Sequence, residues 1–238
     1  MTYHAMFDLT LSFDNGPEPE VTPLVLDILA RRNIKTTFCV IGEKLARPEC
    51  RKLAERAKAE GHWIANHSYT HSIPLGLRTE PDIAEREIGR TQEVIGTLAH
   101  PKKFFRPFGG GGNLDKRLMN SAVADFLKAG KYTCVLWNAI PRDWDNPDGW
   151  VETATAQCHA QWDTLNNWPL MVLHDLPTGA MKHLERFLDW VGEAGGEIRQ
   201  EFPPSAVPIV EGIAVLPLDT YVTASTPAKV GVNSATFQ

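Results

Sequence analysis

Residues 7–17 read FDLTLSFDNGP, and residues 21–31 read VTPLVLDILAR. The first stretch is an apolar run, Phe7 to Phe13, interrupted by single polar residues at Asp8, Thr10 and Ser12, and it ends in Asp14, Asn15, Gly16 and Pro17. Alternation followed by turn residues is the pattern of a strand that stops at Asp14. In the second stretch Val21, Leu24, Val25 and Ile28 recur at helical spacing, so the chain returns as a helix. One strand followed by one helix is half of a β/α crossover, and a carboxylate and an amide stand at the strand's carboxyl end.

Working outward, the same alternation continues. Lys35 to Val40 precedes Cys50 to Glu60, His62 to Asn66 precedes Asp82 to Ala99, and Phe104 to Arg106 precedes Asp115 to Ala129. Tyr132 to Trp137 then precedes Gly149 to Gln161, and Pro169 to His174 precedes Met181 to Ala194, with Gly, Pro or Asn at the boundaries. The spacing predicts six or seven β/α units. Right-handed crossovers of this kind build either an open doubly wound sheet or a closed barrel, and periodicity leaves both open. After about Gly195 the pattern fades into a stretch rich in proline and small residues. A boundary near 199 is expected, with 200–238 an extended tail packed on the domain or on a neighbouring subunit of a homo-oligomer.

The composition narrows the function. With 238 residues, 43% hydrophobic and 22% charged, the chain matches one large globular domain without the signature of disorder. Its 24 basic and 29 acidic residues give a net charge of −5, which provides no footprint for nucleic acid or an anionic membrane, so a neutral or small substrate is expected. The opening MTYHAMFDLTLSF lacks a basic start, a long apolar run and a small-residue cleavage site, which predicts a cytoplasmic protein. Cys39, Cys50, Cys134 and Cys158 form no CxxC pair and are read as reduced, structural thiols.

Polar groups gather where strands are predicted to end: Asp14 and Asn15, His67 and His71, Arg106, Asp143, and His174. In parallel α/β folds that end carries the ligand site. Taken singly, each has a structural explanation. Asp14 and Asn15 fit an Asx turn or helix cap, and Arg106 before a glycine run fits a structural ion pair beside a long turn. His67 and His71, four apart in NHSYTHS, suit a polar pair as well as two ligands of one cation, with Asn15 as the third. His174 beside Asp175 in LMVLHDLP suits a core histidine as well as a proton donor. Their coincidence at one end favours chemistry.

Together these segments resemble a known family. SFDNGP is similar to TFDDGP, NHSYTH to HSxxH, FRPFG to RPPYG, RDW to the Asp-Trp motif and VLHD to LxHD of the polysaccharide deacetylases, carbohydrate esterase family 4 with NodB homology, and all five occur in family order. The resemblance implies a distorted (β/α)7 barrel and metal-assisted hydrolysis of an amide, typically N-deacetylation of an acetylated sugar. It implies a divalent cation, zinc first, on His67, His71 and Asn15, with Asp14 as general base, Arg106 holding it, His174 as general acid and Asp143 paired with His174. Trp144 and Val172 match acetyl-pocket positions, and Phe108 or Gly109 matches the residue whose N–H helps bind the oxyanion. Asn15 departs from the family's ligand carboxylate, and the glycine run 109–112 departs from its oxyanion loop. A metal-independent cyclic imide hydrolase and a sugar-binding domain without activity, with Trp144 stacking on a pyranose, are the alternatives.

Overall fold

In the computed structural model, which describes residues 7–162 and 168–224, β1 (Phe7–Asp14) is paired on both edges in a mainly parallel sheet and is buried almost throughout. Its period of two has a use on both faces. Leu9, Leu11 and Phe13 belong to the apolar core beneath the helices, whereas Thr10, Ser12 and Asp14 are buried polar groups, with Ser12 and Asp14 meeting Arg106.

The elements that follow are α1 (Thr22–Arg31), β2 (Thr37–Val40), a single turn α2 (Gly42–Leu45) and α3 (Pro48–Ala59). Prolines occupy the first turns of α1 and α3, where a missing N–H costs nothing and φ is already helical. Next come β3 (Trp63–Asn66), a π-helical turn over Glu85–Gly89 running into α4 (Arg90–Ile95), and β4 (Phe104–Phe105). The chain continues through β5 (Met119–Asn120), α5 (Ser121–Ala129), β6 (Thr133–Cys134), α6 (Trp150–Trp162), β7 (Leu170–His174) and α7 (Leu184–Glu193). β8 (Gly196–Arg199), β9 (Ile209–Val210), β10 (Ile213–Ala214) and β11 (Val222–Thr223) complete it.

The main sheet runs β10-β9-β6-β4-β3-β2-β1-β7, with β8 also on β1. β7 and β8 share one edge of β1 end to end: β8 pairs with Phe7 to Thr10 and β7 with Thr10 to Asp14. Seven parallel strands, β1 to β4 and β6 to β8, thus form a distorted (β/α)7 barrel. Among the described residues no continuous ladder closes it. A single bridge, Ala139 to Met171, joins the segment after β6 to β7.

Three elements differ from the sequence expectation. The helix expected from Asp115 begins only at Ser121, because Asp115 turns back on Arg117 and Asn120 caps the helix, its Oδ1 accepting from the Val123 N–H at 2.9 Å. The helix expected over Asp82 to Ala99 is divided into the π turn, α4 and a 3-10 turn at Gly96–Leu98. Beyond Gly195, β8 adds a parallel strand to β1, and β9 pairs antiparallel with β6. Of the expected tail 200–238, residues 225–238 lie outside the described residues.

The register assembles the site. Asp14 is the direct partner of His174 across β1 and β7, and Asn66 is that of Phe105 across β3 and β4, so His67 and Arg106 leave the sheet side by side.

Candidate active site

At the carboxyl end of the sheet a cavity of about 210 Å³ is lined by Asp14, Asn15, His67, His71, Phe108, the glycines 109–112, Trp137, Ile140, Trp144, Val172, His174 and Leu176. Nine of the eleven residues expected from the sequence line it. The other two, Arg106 and Asp143, are fully buried behind the wall.

Arg106 carries a guanidinium with no exposure to water, and its partners account for its fork. Nη1 donates to Asp14 Oδ1 at 2.8 Å and to the Ser12 hydroxyl, Nε to the Val135 carbonyl at 3.3 Å, and Nη2 to the Leu136 carbonyl at 3.2 Å. Burial by itself pushes the Asp14 carboxyl up, but the charges of Arg106, His67 and His174, with a hydrogen bond from the Cys39 thiol, hold it below its ordinary value. Asp14 is therefore an anion at neutral pH, with Oδ2 3.5 Å from Nε2 of His67.

At the end of the neighbouring strand β7, His174 Nδ1 lies 2.9 Å from Asp143 Oδ1, and the His174 backbone N–H donates to Asp143 Oδ2 at 2.9 Å. Burial lowers the His174 pKa, but the hydrogen bond and charge of Asp143, with Asp14 and Asp175, raise it more, so the net shift is upward. With Nδ1 engaged, Nε2 is the atom left to exchange a proton with a ligand. Trp144 stands edge-on to the ring at 4.7 Å between centroids.

His67 and His71 face each other with centroids 4.6 Å apart. Nδ1 of His67 is 2.8 Å from the Arg106 carbonyl, which requires the proton there and leaves the lone pair on Nε2. Burial lowers both histidines, His71 to about 2, so both rings are neutral and able to ligate at neutral pH. Asn15 Oδ1 is buried without a hydrogen-bond partner, an acceptor that a cation would satisfy. Two neutral imidazoles and an orphaned amide oxygen fit a divalent ion. Among the described residues no group of three or more His, Cys, Asp or Glu is placed to hold one, so Asn15 is needed to complete the set.

The local backbone is strained to make this arrangement. Asn15, Ser68, His71 and Arg142 all have positive φ. Each such residue costs about 1–3 kcal/mol, which surrounding contacts must offset. Lys44 Nζ steadies Asn15 by donating to its carbonyl at 2.8 Å.

The glycine loop wraps an indole. A Cβ on Gly109 would meet the Trp137 ring at 2.5 Å, and Trp137 Nε1 donates to the Gly112 carbonyl at 3.1 Å. Arg142 donates to the Gly111 carbonyl at 3.0 Å and lies over the Trp144 ring. Phe108 packs on His71 with centroids 4.0 Å apart. The sequence reading missed Trp137, Ile140 and Leu176 as wall residues. Trp137 was legible only as the last residue of a predicted strand, beside residues already selected.

The family model for polysaccharide deacetylase matches residues 7–126. The chain belongs to the polysaccharide deacetylase family. A chitooligosaccharide deacetylase of Rhizobium leguminosarum bv. phaseoli is 38% identical over 143 residues, 58% of this chain and 57% of that protein. This chain thus spans under two thirds of that relative's length. A family 4 carbohydrate esterase from Streptomyces lividans, solved in complex with acetate, shares 26% identity with a TM-score of 0.67, covering 89% of this chain and 98% of its own. A family 4 acetyl xylan esterase from Clostridium thermocellum, solved with a cobalt ion, is 26% identical with a TM-score of 0.64 over 81% of this deacetylase-family chain and 87% of its own.

Proposed function

We propose that this chain hydrolyses the amide of an N-acetylated sugar, releasing acetate and a free amine. The observation that carries the reading is the presence, in one cavity, of a carboxylate fixed as an anion and an imidazole biased toward its protonated form. Pairs of groups pushed apart in this way mark a base and an acid. The chitooligosaccharide deacetylase and the acetate-bound esterase support the acyl group and the sugar class.

Asp14 takes the proton of the attacking water, and Arg106 keeps it ionised and aimed. His174 gives the Nε2 proton to the nitrogen of the departing amine, while Asp143 supports the imidazolium. A backbone N–H at Phe108 or Gly109, both on the cavity wall, would stabilise the developing oxyanion, and Trp144, Val172 and Trp137 would enclose the methyl group. His67, His71 and Asn15 would hold a divalent cation such as zinc or cobalt, which would supply Lewis-acid polarisation of water and carbonyl. The uncharged ligand set favours weaker retention of that ion than a set with a carboxylate would give.

The test is acetate release from N-acetylated chitooligosaccharides by protein stripped with chelator and then given zinc or cobalt. Turnover restored by the cation is the expected result. Turnover of cyclic imides that persists in chelator, with none on acetylated sugars, would replace this reading with metal-independent imide hydrolysis.

A further inference from the structure

We propose that Glu87, in the π-helical turn ahead of α4, is a positioning residue that sets the separation of His67 and His71; the proposal rests on reading those histidines as cation ligands. The segment between them is Ser68, Tyr69 and Thr70, and it leaves β3 along an unfavourable path, with Ser68 at φ 67° and His71 at φ 49°. A left-handed path of this kind holds only where its backbone groups are tied down.

Glu87 ties down the middle of it. Its Oε2 accepts from the backbone N–H of Tyr69 at 3.0 Å and of Thr70 at 2.9 Å, and Oε1 accepts from the Thr70 hydroxyl at 2.8 Å. All three donors come from residues lying between the two histidines. Glu87 is 5% exposed, so the accepting end of these bonds is shielded from bulk water, while Thr70 stands at the surface. On the other side of the segment, the carbonyls of Ser68 and Tyr69 accept from the N–H groups of Gly42 and Glu43 at 3.0 and 3.1 Å. The loop is therefore held between α2 and the π-helical turn at Glu85–Gly89.

The helix is shaped to deliver that carboxylate. Its π turn lies at Glu85–Gly89, a distortion frequent at functional sites. Two of its carbonyls are taken by side chains: the Thr91 hydroxyl donates to the Glu87 carbonyl at 2.7 Å, and Asn66 Nδ2 to that of Ile88 at 2.9 Å. Asn66 also accepts the Ser68 N–H at 3.1 Å, so one amide links the root of the loop to the same turn. The Arg90 guanidinium covers the Tyr69 ring at 3.7 Å. Both oxygens of Glu87 are thus engaged by Tyr69 and Thr70, two of the three residues that join the histidines.

The experiment measures Co2+ binding by calorimetry and visible absorption, with thermal unfolding alongside, for the wild-type chain, Glu87→Ala, Glu87→Gln and Thr70→Val. Glu87→Ala should weaken Co2+ binding by on the order of tenfold or more and alter the cobalt bands, because the imidazole separation is no longer held. Glu87→Gln should remain within about threefold of wild type, since its amide oxygen still accepts both N–H groups while its NH2 donates to the Thr70 hydroxyl. If Glu87→Ala does not fold, Thr70→Val, which removes one of the three bonds, carries the test with a loss of about threefold. Folded Glu87→Ala with wild-type affinity and bands, Glu87→Gln as weak as Glu87→Ala, or unchanged binding in Thr70→Val where that variant carries the test would each overturn the proposal. Absence of Co2+ binding in the wild-type chain would instead remove the ligand reading itself, and this proposal with it.

Discussion

Replacing Asp143 by Asn tests the acid side of the site with minimal change of shape. Asp143 accepts two hydrogen bonds from one residue, the backbone N–H and ring Nδ1 of His174, both at 2.9 Å, and it is fully buried. Asn keeps one acceptor for the backbone N–H and turns its NH2 toward Nδ1, so the protonated ring loses its partner. Removing one member of a buried charged pair costs about 3–5 kcal/mol. At about 1.4 kcal/mol per decade that corresponds to on the order of 10²–10⁴ in kcat if the full loss falls on the transition state, the range expected for a lost general acid. The pH dependence has a definite sign. In the wild type burial lowers the His174 pKa, and Asp143 together with Asp14 and Asp175 raises it above its ordinary value of 6.5; Asp143→Asn removes the largest of the upward contributions, so the alkaline limb of kcat/KM moves to lower pH. Because the folded pKa is the raised one, the pair's contribution to stability is complete below pH 6.5 and is lost as pH rises through the folded value, so Asp143→Asn destabilises more at pH 6 than at pH 9. The assay is acetate release against pH, with urea unfolding at both pH values. A variant with kcat within threefold of wild type and an unmoved alkaline limb would refute the acid assignment.

Asp14→Asn should lower kcat by on the order of 10² or more and also reduce stability by about 3–5 kcal/mol, because Arg106 is left as a buried charge; kinetics and denaturation on the same sample check both. Asn15→Asp should tighten Co2+ binding by about tenfold or more, read by calorimetry, since it adds a charge to an otherwise neutral ligand set. Gly109→Ala should lower kcat/KM on the order of tenfold and cost about 1–3 kcal/mol, because its Cβ would stand 2.5 Å from the Trp137 ring; a variant with both quantities unchanged would show that the loop yields freely. His62 is buried with its pKa pushed down to about 4, so the unfolded chain binds the extra proton between pH 6.5 and 4 and stability falls by about 3 kcal/mol as pH falls through that window. His62→Gln, which keeps an acceptor for the Thr36 N–H, should flatten that slope in urea midpoints measured at pH 7 and pH 5.

What could be read beforehand was whatever is local to one strand and its end. Asp14, His67, Arg106 and His174 each close an apolar run, so their placement at one end follows from strand direction alone. Barrel closure was not readable from periodicity because it depends on how β7 and β8 divide the edge of β1, a pairing between residues nearly two hundred positions apart. β8 itself, GEIR, is too short and polar to register as a strand until β1 supplies its partner. The start of α5 was misplaced because Asp115 and Arg117 satisfy each other before the helix begins, and propensity does not see that competition. Glu87 was hidden for a different reason: in sequence it is one acidic residue in a charged helix, and only the fold shows that it faces inward onto a loop.

The bridge between Ala139 and Met171 has a consequence for how the barrel breathes. Asp143 hangs from the segment after β6 and His174 ends β7, so their paired hydrogen bonds fasten the same two stretches of chain as the bridge, a few residues further along. The acid pair is thus a clasp on a hoop whose ladder is interrupted at that point. An excursion that parts the hoop there would also pull the carboxylate from the imidazole, which couples the Asp143–His174 pair to closure of the ring. Amide hydrogen exchange at His174 is then expected to report how often that pair comes apart.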